Sequence, residues 1–237
     1  MDPFYDSQSL ASWAADALAK QGIDELARWR MLEYWAQVEL FRALERGQAD
    51  GWRHLGDFEQ PYFTHAPLSG SKTNYKWADL VCAKQGTPAL ERIAWVELKD
   101  LGRNPQTLAN NARGVGQDLA ALFEIDPEQT RLAWEHPPDD VVDQGRTSQW
   151  AEFAPGLSSA SHIVAQVVLI DKEPLRLLGD EALLGAWSDS FRARVGAGFP
   201  KIARWDTDRF VIFATVLEPK RSRSCEPPNK PHAAGGG

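Results

Sequence analysis

Two carboxylates and a lysine fall close together in the most apolar part of the chain. Asp79 lies within the run Tyr75–Lys84 (YKWADLVCAK), and Glu97 and Lys99 lie near the end of the run Arg92–Asp100 (RIAWVELKD). Both runs are rich in apolar and aromatic residues, which predicts strands. Residues two apart on a strand point the same way, so Glu97 and Lys99 share a face. Pairing of the two strands brings Asp79 beside them. Buried charges are paired or coordinate metals. Two carboxylates offer hard oxygen ligands to Mg²⁺ (or Mn²⁺), an ion that keeps several waters and accepts a phosphate oxygen. Such an ion stabilises charge on a phosphate and makes a bound water more acidic. A lysine beside it orients that water or stabilises developing negative charge. Phosphodiester hydrolysis is the chemistry this set serves best. The residues alone also leave open an ordinary ion pair between Asp79 and Lys99, with Glu97 given to an arginine.

These residues need elements to hold them. A helix is predicted over Asp24–Arg46, with Asp24 as N-cap and Gly47 as stop. Trp29, Leu32, Ala36, Leu40 and Ala43 fall on one face of it. Glu39 projects near the middle of that face and Glu33 at its edge, so either needs an arginine or a metal. A weaker strand, Trp52–Phe58, precedes the two strong ones, and Pro61, Pro67 and Gly70 mark an irregular loop. Gln85–Pro88 (QGTP) supplies turn residues for an antiparallel hairpin. Pro105 suits the first turn of a helix over Gln106–Phe123, with Leu108, Ala112, Val115, Leu119 and Leu122 as its apolar positions. Gly114 and Gly116 predict a kink or close packing there. Residues 126–158 read as a long excursion with little regular structure. A buried strand at His162–Asp171, a helix over Asp180–Val195 and a strand at Arg209–Leu217 follow, and 218–237 reads as a disordered tail. The order predicts an α/β class with a mixed sheet flanked by helices, in one domain over residues 1–217.

At the hairpin the sequence resembles the PD-(D/E)XK, or restriction-endonuclease-like, nuclease superfamily. The residues that carry the resemblance are Asp79 in WADLV and Glu97-Leu98-Lys99 in AWVELKD, at a separation that fits a two-strand hairpin. The element order from about Asp24 to Asp171 also matches that family's common core. The resemblance implies a restriction-endonuclease-like fold, with Asp79 and Glu97 binding Mg²⁺ or Mn²⁺ and Lys99 serving catalysis. Glu39, ahead of Glu33, would complete the metal site, and the substrate would be nucleic acid, DNA ahead of RNA. Two positions depart from the pattern. Ala78 stands where a proline is usual, and Ala121 stands where the exonuclease branch has a tyrosine four residues after a glutamine. Gln117 is that glutamine and is only a secondary candidate. A second acid-x-Lys triplet, Glu218-Pro219-Lys220, reads as a strand exit, because its proline lacks an N–H and restricts Glu218. The alternative from a different class is a silent nuclease fold acting as a scaffold or nucleic-acid-binding partner subunit. A homodimer would suit an enzyme that cuts both strands of a duplex.

With 43% hydrophobic and 25% charged residues, the 237-residue chain has globular proportions. A net charge of −7 runs against the basic footprint of phosphate binders. Carboxylates gathered at a metal site account for part of that acidity. Arg42, Arg46, Arg53, Lys72, Lys76, Arg103 and Arg113 flank the site in sequence. The ten tryptophans read as core residues. No apolar run approaches the roughly 20 residues that a bilayer requires, so no membrane association is expected. The start MDPFYDSQSL lacks the marks of a signal peptide. Cys82 and Cys225 suggest no disulfide framework, so a reducing cytoplasm is the expected location. The five histidines lack zinc spacing. Gly114-Val115-Gly116 lies inside a predicted helix without a third glycine, which excludes a dinucleotide fingerprint.

Overall fold

The computed structural model describes residues 1–19, 32–47, 49–56, 59–65, 75–85, 90–102, 104–137, 150–196, 198–208 and 210–219. It opens with a helix ahead of the expected first one. α1 (Ser7–Leu18) starts at Asp6, whose side chain accepts from the Ser9 N–H, and buries Leu10, Trp13, Ala14, Ala17 and Leu18 at helical spacing. α2 (Leu32–Glu45) is the later part of the helix expected over Asp24–Arg46, and residues 24–31 lie outside the described residues.

Then come β1 (Trp52–His54), β2 (Gln60–Phe63), β3 (Tyr75–Ala78), β4 (Leu80–Gln85), β5 (Leu90–Asp100), α3 (Pro105–Phe123), α4 (Pro127–Glu135) and α5 (Trp150–Leu157). The remainder is β6 (Ser161–Asp171), α6 (Lys172–Leu178), α7 (Asp180–Val195), β7 (Ala203–Asp206) and β8 (Phe210–Leu217). Six strands form one mixed sheet in the order β1-β4-β5-β6-β8-β7. β4 is antiparallel to β1 and β5, β5 and β6 are parallel, and β8 is antiparallel to β6 and β7. A parallel pair needs a crossover connection. Here that connection carries α3, α4 and α5.

Strand alternation divides the core into two layers. Ala94, Val96, Leu98, Ala165, Val167 and Leu169 pack with α1 and α2. Ile93, Trp95, Val164, Val168 and Ile170 pack with α3 and α7. β6 is covered on both faces, which is why HIVAQVVLID reads as a nearly continuous apolar run. Trp52, Trp95, Trp134 and Trp187 are fully buried, in keeping with the core reading of the tryptophans.

Four departures from the sequence expectations have physical causes. The strand expected over Tyr75–Lys84 is broken at Asp79, because β3 pairs with β2 in a separate two-stranded sheet while β4 joins the large one. The excursion expected over 126–158 holds two helices among the described residues. Asp126 caps α4 by accepting from the Glu128 and Gln129 N–H groups, and Pro127 fits its first turn. Residues 138–149 lie outside the described residues. β1 stops at His54, and Phe58 also lies outside. Finally β2, α6 and β7 are additions, all too short for a strong periodic signal.

The expected close packing at the glycines occurs at Gly116, where an added Cβ would stand 2.3 Å from the Trp187 carbonyl oxygen of α7. Cys82 is a buried free thiol on β4. Cys225 and the tail from residue 220 lie outside the described residues. No helix among the described residues is long and apolar enough to cross a membrane.

Candidate functional site

Asp79 occupies the one-residue break between β3 and β4, where the chain leaves the small sheet for the large one. Its backbone carbonyl accepts from Gln37 Nε2 of α2 at 2.6 Å and from the Glu59 N–H at 3.2 Å. Its side-chain Oδ2 accepts from the Leu98 N–H of β5 at 2.6 Å. These contacts fix the break and aim the carboxylate along the end of β5.

Glu97 stands beside Gln166 of β6 in register, on the face that packs with α3. It is 7% exposed. Lys99 Nζ lies 2.7 Å from Glu97 Oε1. The same ammonium is 3.8 Å from Glu33 Oε1 and 3.9 Å from Asp118 Oδ2. Glu33 also accepts from the Asp100 N–H through Oε2 at 3.1 Å. Asp118 Oδ1 in turn meets Lys76 Nζ at 2.5 Å. Elements from both sides of the sheet therefore supply the cluster.

Of the residues singled out in the sequence, the fold gathers Asp79, Glu97, Lys99 and Glu33. Glu39 is buried and pairs with Arg42 Nη1 at 2.6 Å, which is the arginine option rather than the metal option. Gln117 is exposed and lines a groove with Arg113, Ala182 and Asp189. Its neighbour Asp118 turns into the cluster instead. Helix geometry carries this signal, since at about 100° per residue Gln117 stands opposite the Leu108–Val115–Leu122 stripe while Asp118 borders it.

The electrostatics follow from burial and crowding. Burial is the largest influence on Asp79 and raises its pKa to about 6, with Glu33 and Glu59 adding and Lys99 and the Leu98 N–H opposing. Glu97 is pushed up to about 8, chiefly by burial and then by the Asp79 charge, against the pull of Lys99. Burial alone would lower Lys99, but Glu97, Glu33 and Asp79 outweigh it and hold the ammonium above its ordinary range. Tyr62 is raised by burial and by the charges of Glu97 and Asp118. Among the described residues four carboxylates (Asp79, Glu97, Glu33, Asp118) thus face two ammoniums (Lys76, Lys99), a deficit of two positive charges when all are ionised.

That deficit, made of hard oxygen donors, fits a divalent cation. Among the described residues no three His, Cys, Asp or Glu side chains already surround one point. Asp79 and Glu97, with water to fill the remaining positions, are the ligands on offer. This is a normal arrangement for Mg²⁺, which usually keeps several waters and takes one or two carboxylates.

A second concavity, of about 570 Å³, lies at the other end of β5 and β6 and is lined by Arg92, Ser158, His162 and Leu217. Three of its polar side chains are already engaged. Arg92 meets Asp2 at 3.1 Å, and Ser158 donates to Glu128 at 2.6 Å. His162 Nδ1 accepts from Trp95 Nε1 at 3.0 Å, which leaves Nε2 to donate to the Leu157 carbonyl at 2.7 Å. Burial lowers the pKa of this imidazole, in keeping with a neutral ring. No family model matches the chain, and neither a curated protein nor a solved structure is similar to it.

Proposed function

We propose that the protein is a metal-dependent nuclease that hydrolyses phosphodiester bonds, in DNA ahead of RNA, on a restriction-endonuclease-like fold. The observation that carries this reading is the gathering of Asp79, Glu97 and Lys99 in one buried group whose carboxylates are held well above their ordinary pKa. With the small β2–β3 sheet and the helices α4 and α5 set aside, the fold part is supported by the order α2, β1, β4, β5, α3, β6, with an antiparallel hairpin followed by a parallel strand. That is the helix, three strands, helix, strand order which the resemblance implies.

In this reading Asp79 and Glu97 hold Mg²⁺ or Mn²⁺. The bound ion supplies charge stabilisation to the phosphate and acidity to a water. Lys99, steadied by Glu97 and Glu33, is placed to orient that water or to offset charge on the phosphate. The reading carries with it a cytoplasmic setting, a role in defence or DNA processing, and a homodimer or partner subunit where both strands of a duplex are cut.

The test is cleavage of plasmid, linear duplex, single-stranded DNA and RNA in Mg²⁺, Mn²⁺ or EDTA, with wild type and Lys99→Ala side by side. Cleavage lost in both EDTA and the variant supports the nuclease. No cleavage by folded wild type overturns it. A second reading, a silent fold that serves as scaffold or nucleic-acid-binding subunit, is favoured by the closed Lys99–Glu97 pair and by the Leu98 N–H on Asp79. It predicts binding that persists in Lys99→Ala and no metal-dependent cleavage.

A further inference from the structure

A phosphodiester approaching Asp79 and Glu97 also meets the carboxylates of Glu33 and Asp118. Repulsion at that mouth has to be offset by a cation that is free enough to meet the phosphate. Lys99 is held at 2.7 Å by Glu97 and is half-buried. Lys76 is the other ammonium of the cluster, and its situation differs. It sits on β3, opposite Tyr62 of β2 and three residues before Asp79, on the small sheet that lies beside the cluster. Its side chain is 34% exposed, and its contact is with Asp118 Oδ1 at 2.5 Å. A lysine ammonium has three donors. Asp118 takes one, and the exposure leaves room for a second acceptor at the surface.

Asp118 has a double attachment. Its Oδ1 holds Lys76 and its Oδ2 lies 3.9 Å from Lys99 Nζ. Its helix is seated by two contacts of the same region. Gly116 lies against the Trp187 carbonyl, and the Val115 carbonyl accepts from Gln166 Nε2 at 3.1 Å. The carboxylate is therefore a fixed post, whereas the lysine is a long flexible arm whose charge can swing by one hydrogen bond.

Resting on the nuclease reading above, we propose that Lys76 is the phosphate-contacting cation at the mouth of the site, held in place by Asp118 until a backbone phosphate of nucleic acid takes over the contact. A lysine suits this task because it meets phosphate as a point charge without demanding a fixed bidentate geometry. The pair also answers the acidity of the chain. With a net charge of −7, a single cation beside the proposed metal ligands needs no excess of basic residues.

The experiment is fluorescence anisotropy of a labelled DNA duplex in EDTA, repeated over a salt series, with Lys76→Gln, Lys76→Arg and Asp118→Asn. Lys76→Gln keeps a donor for Asp118 and removes only the charge, and thermal melts check that each variant folds. The expected result is a slope of log Kd against log salt that is smaller by about 1 in Lys76→Gln, and a wild-type slope in Lys76→Arg. Asp118→Asn, which releases the lysine, keeps the wild-type slope. If the pair is merely structural, Lys76→Gln and Asp118→Asn alter stability alike and leave the slope unchanged, which overturns the inference. Wild type that binds and cleaves while Lys76→Gln keeps its slope overturns this inference alone. Wild type that neither binds nucleic acid in EDTA nor cleaves it in Mg²⁺ overturns it together with the nuclease reading. Loss of slope in a protein that never cleaves leaves the Lys76 contact standing and removes the catalytic reading.

Discussion

The β4–β5 hairpin carries charge at both ends, and the two ends are built on different terms. At the turn end, Asp2 accepts from the Phe4 N–H at 3.0 Å and from Trp52 Nε1 at 2.9 Å. It also lies 3.1 Å from Arg92 Nη1 and 3.4 Å from Lys84 Nζ. Asp50 meets the same lysine at 3.6 Å, and the Arg92 guanidinium lies over the Trp52 ring. Two carboxylates and two cations balance there, and Asp2 has four donors. At the open end, four carboxylates share two lysines, and the best-buried of them, Glu97, is held at about 8. An ion cluster that serves only the fold is neutral and saturated. One left short of positive charge is costly until something supplies it, and local conflict of that kind is where function is expected.

The largest effect that follows is on chemistry. Asp79→Asn, Glu97→Gln and Lys99→Ala should each lower metal-dependent cleavage by at least ~10²-fold. Circular-dichroism melts of Asp79→Asn and Glu97→Gln should stay near wild type or above it, because each removes a charge that burial disfavours. Undiminished cleavage in all three would erase the distinction between the two ends.

The next effect is on pH. Asp79 and Glu97 bind their protons more tightly in the folded chain, at about 6 and about 8, than in the unfolded chain, where carboxylates titrate near ~4. Between the unfolded and folded values the native state holds more protons, so stability falls as pH rises and levels off above about 8. Urea midpoints in EDTA should therefore decline through this window, and Glu97→Gln should flatten its upper half. Mg²⁺ should restore more stability near the top of the window than at the bottom, because there it no longer competes with protons for the carboxylates. A midpoint that rises through the same window would contradict the excess of negative charge.

A smaller effect is expected at the turn end, where the sign is reversed. Asp2→Ala strands Arg92 and Lys84 without their carboxylate and removes the partner of Trp52 Nε1. Arg92 and Lys84 are partly open to water while Trp52 is buried, so the cost should be about 1–3 kcal/mol by urea denaturation. Cleavage per folded molecule should be unchanged, since no residue of that cluster touches the open end.

The open end was legible in the sequence as far as periodicity reaches. Glu97 and Lys99 share a face because strands alternate, and the hairpin and α3 fall where the apolar runs and Pro105 place them. The break at Asp79 was not legible, because YKWADLVCAK is apolar on both sides of it and only the partner strand changes, from β2 to β5. The choice of Glu33 over Glu39 was also hidden. It depends on where α2 starts relative to the end of β5, a tertiary offset that a helical wheel does not contain. Asp118 was readable in principle, as the acid bordering the apolar stripe of α3, but the family pattern drew attention to Gln117 next to it. The turn-end cluster was invisible for a different reason. Lys84 and Arg92 face each other across the hairpin, but Asp2 and Trp52 come from distant segments, and nothing local marks them as partners.

The smallest effect expected marks the inner limit of the open end. Gln166 adjoins Glu97 in register and is completely buried, with Nε2 donating to the Val115 carbonyl and Oε1 left without a protein partner. Gln166→Leu removes one hydrogen bond, which costs about 0.5–1.5 kcal/mol net. It also removes an acceptor whose desolvation is unrecovered, a gain of about 1–3 kcal/mol. Leucine fills similar space, and Val115 lies inside α3, where its carbonyl can keep its helical bond. The terms oppose and the second is the larger, so stability should hold or rise by about 1 kcal/mol. If cleavage also stays within a few-fold of wild type, the functional cluster ends at Glu97 and Gln166 is a seat for α3. If cleavage collapses while the melt is unmoved, the unpaired oxygen belongs to the site, and the open end extends one strand deeper into the sheet than the charges alone indicate.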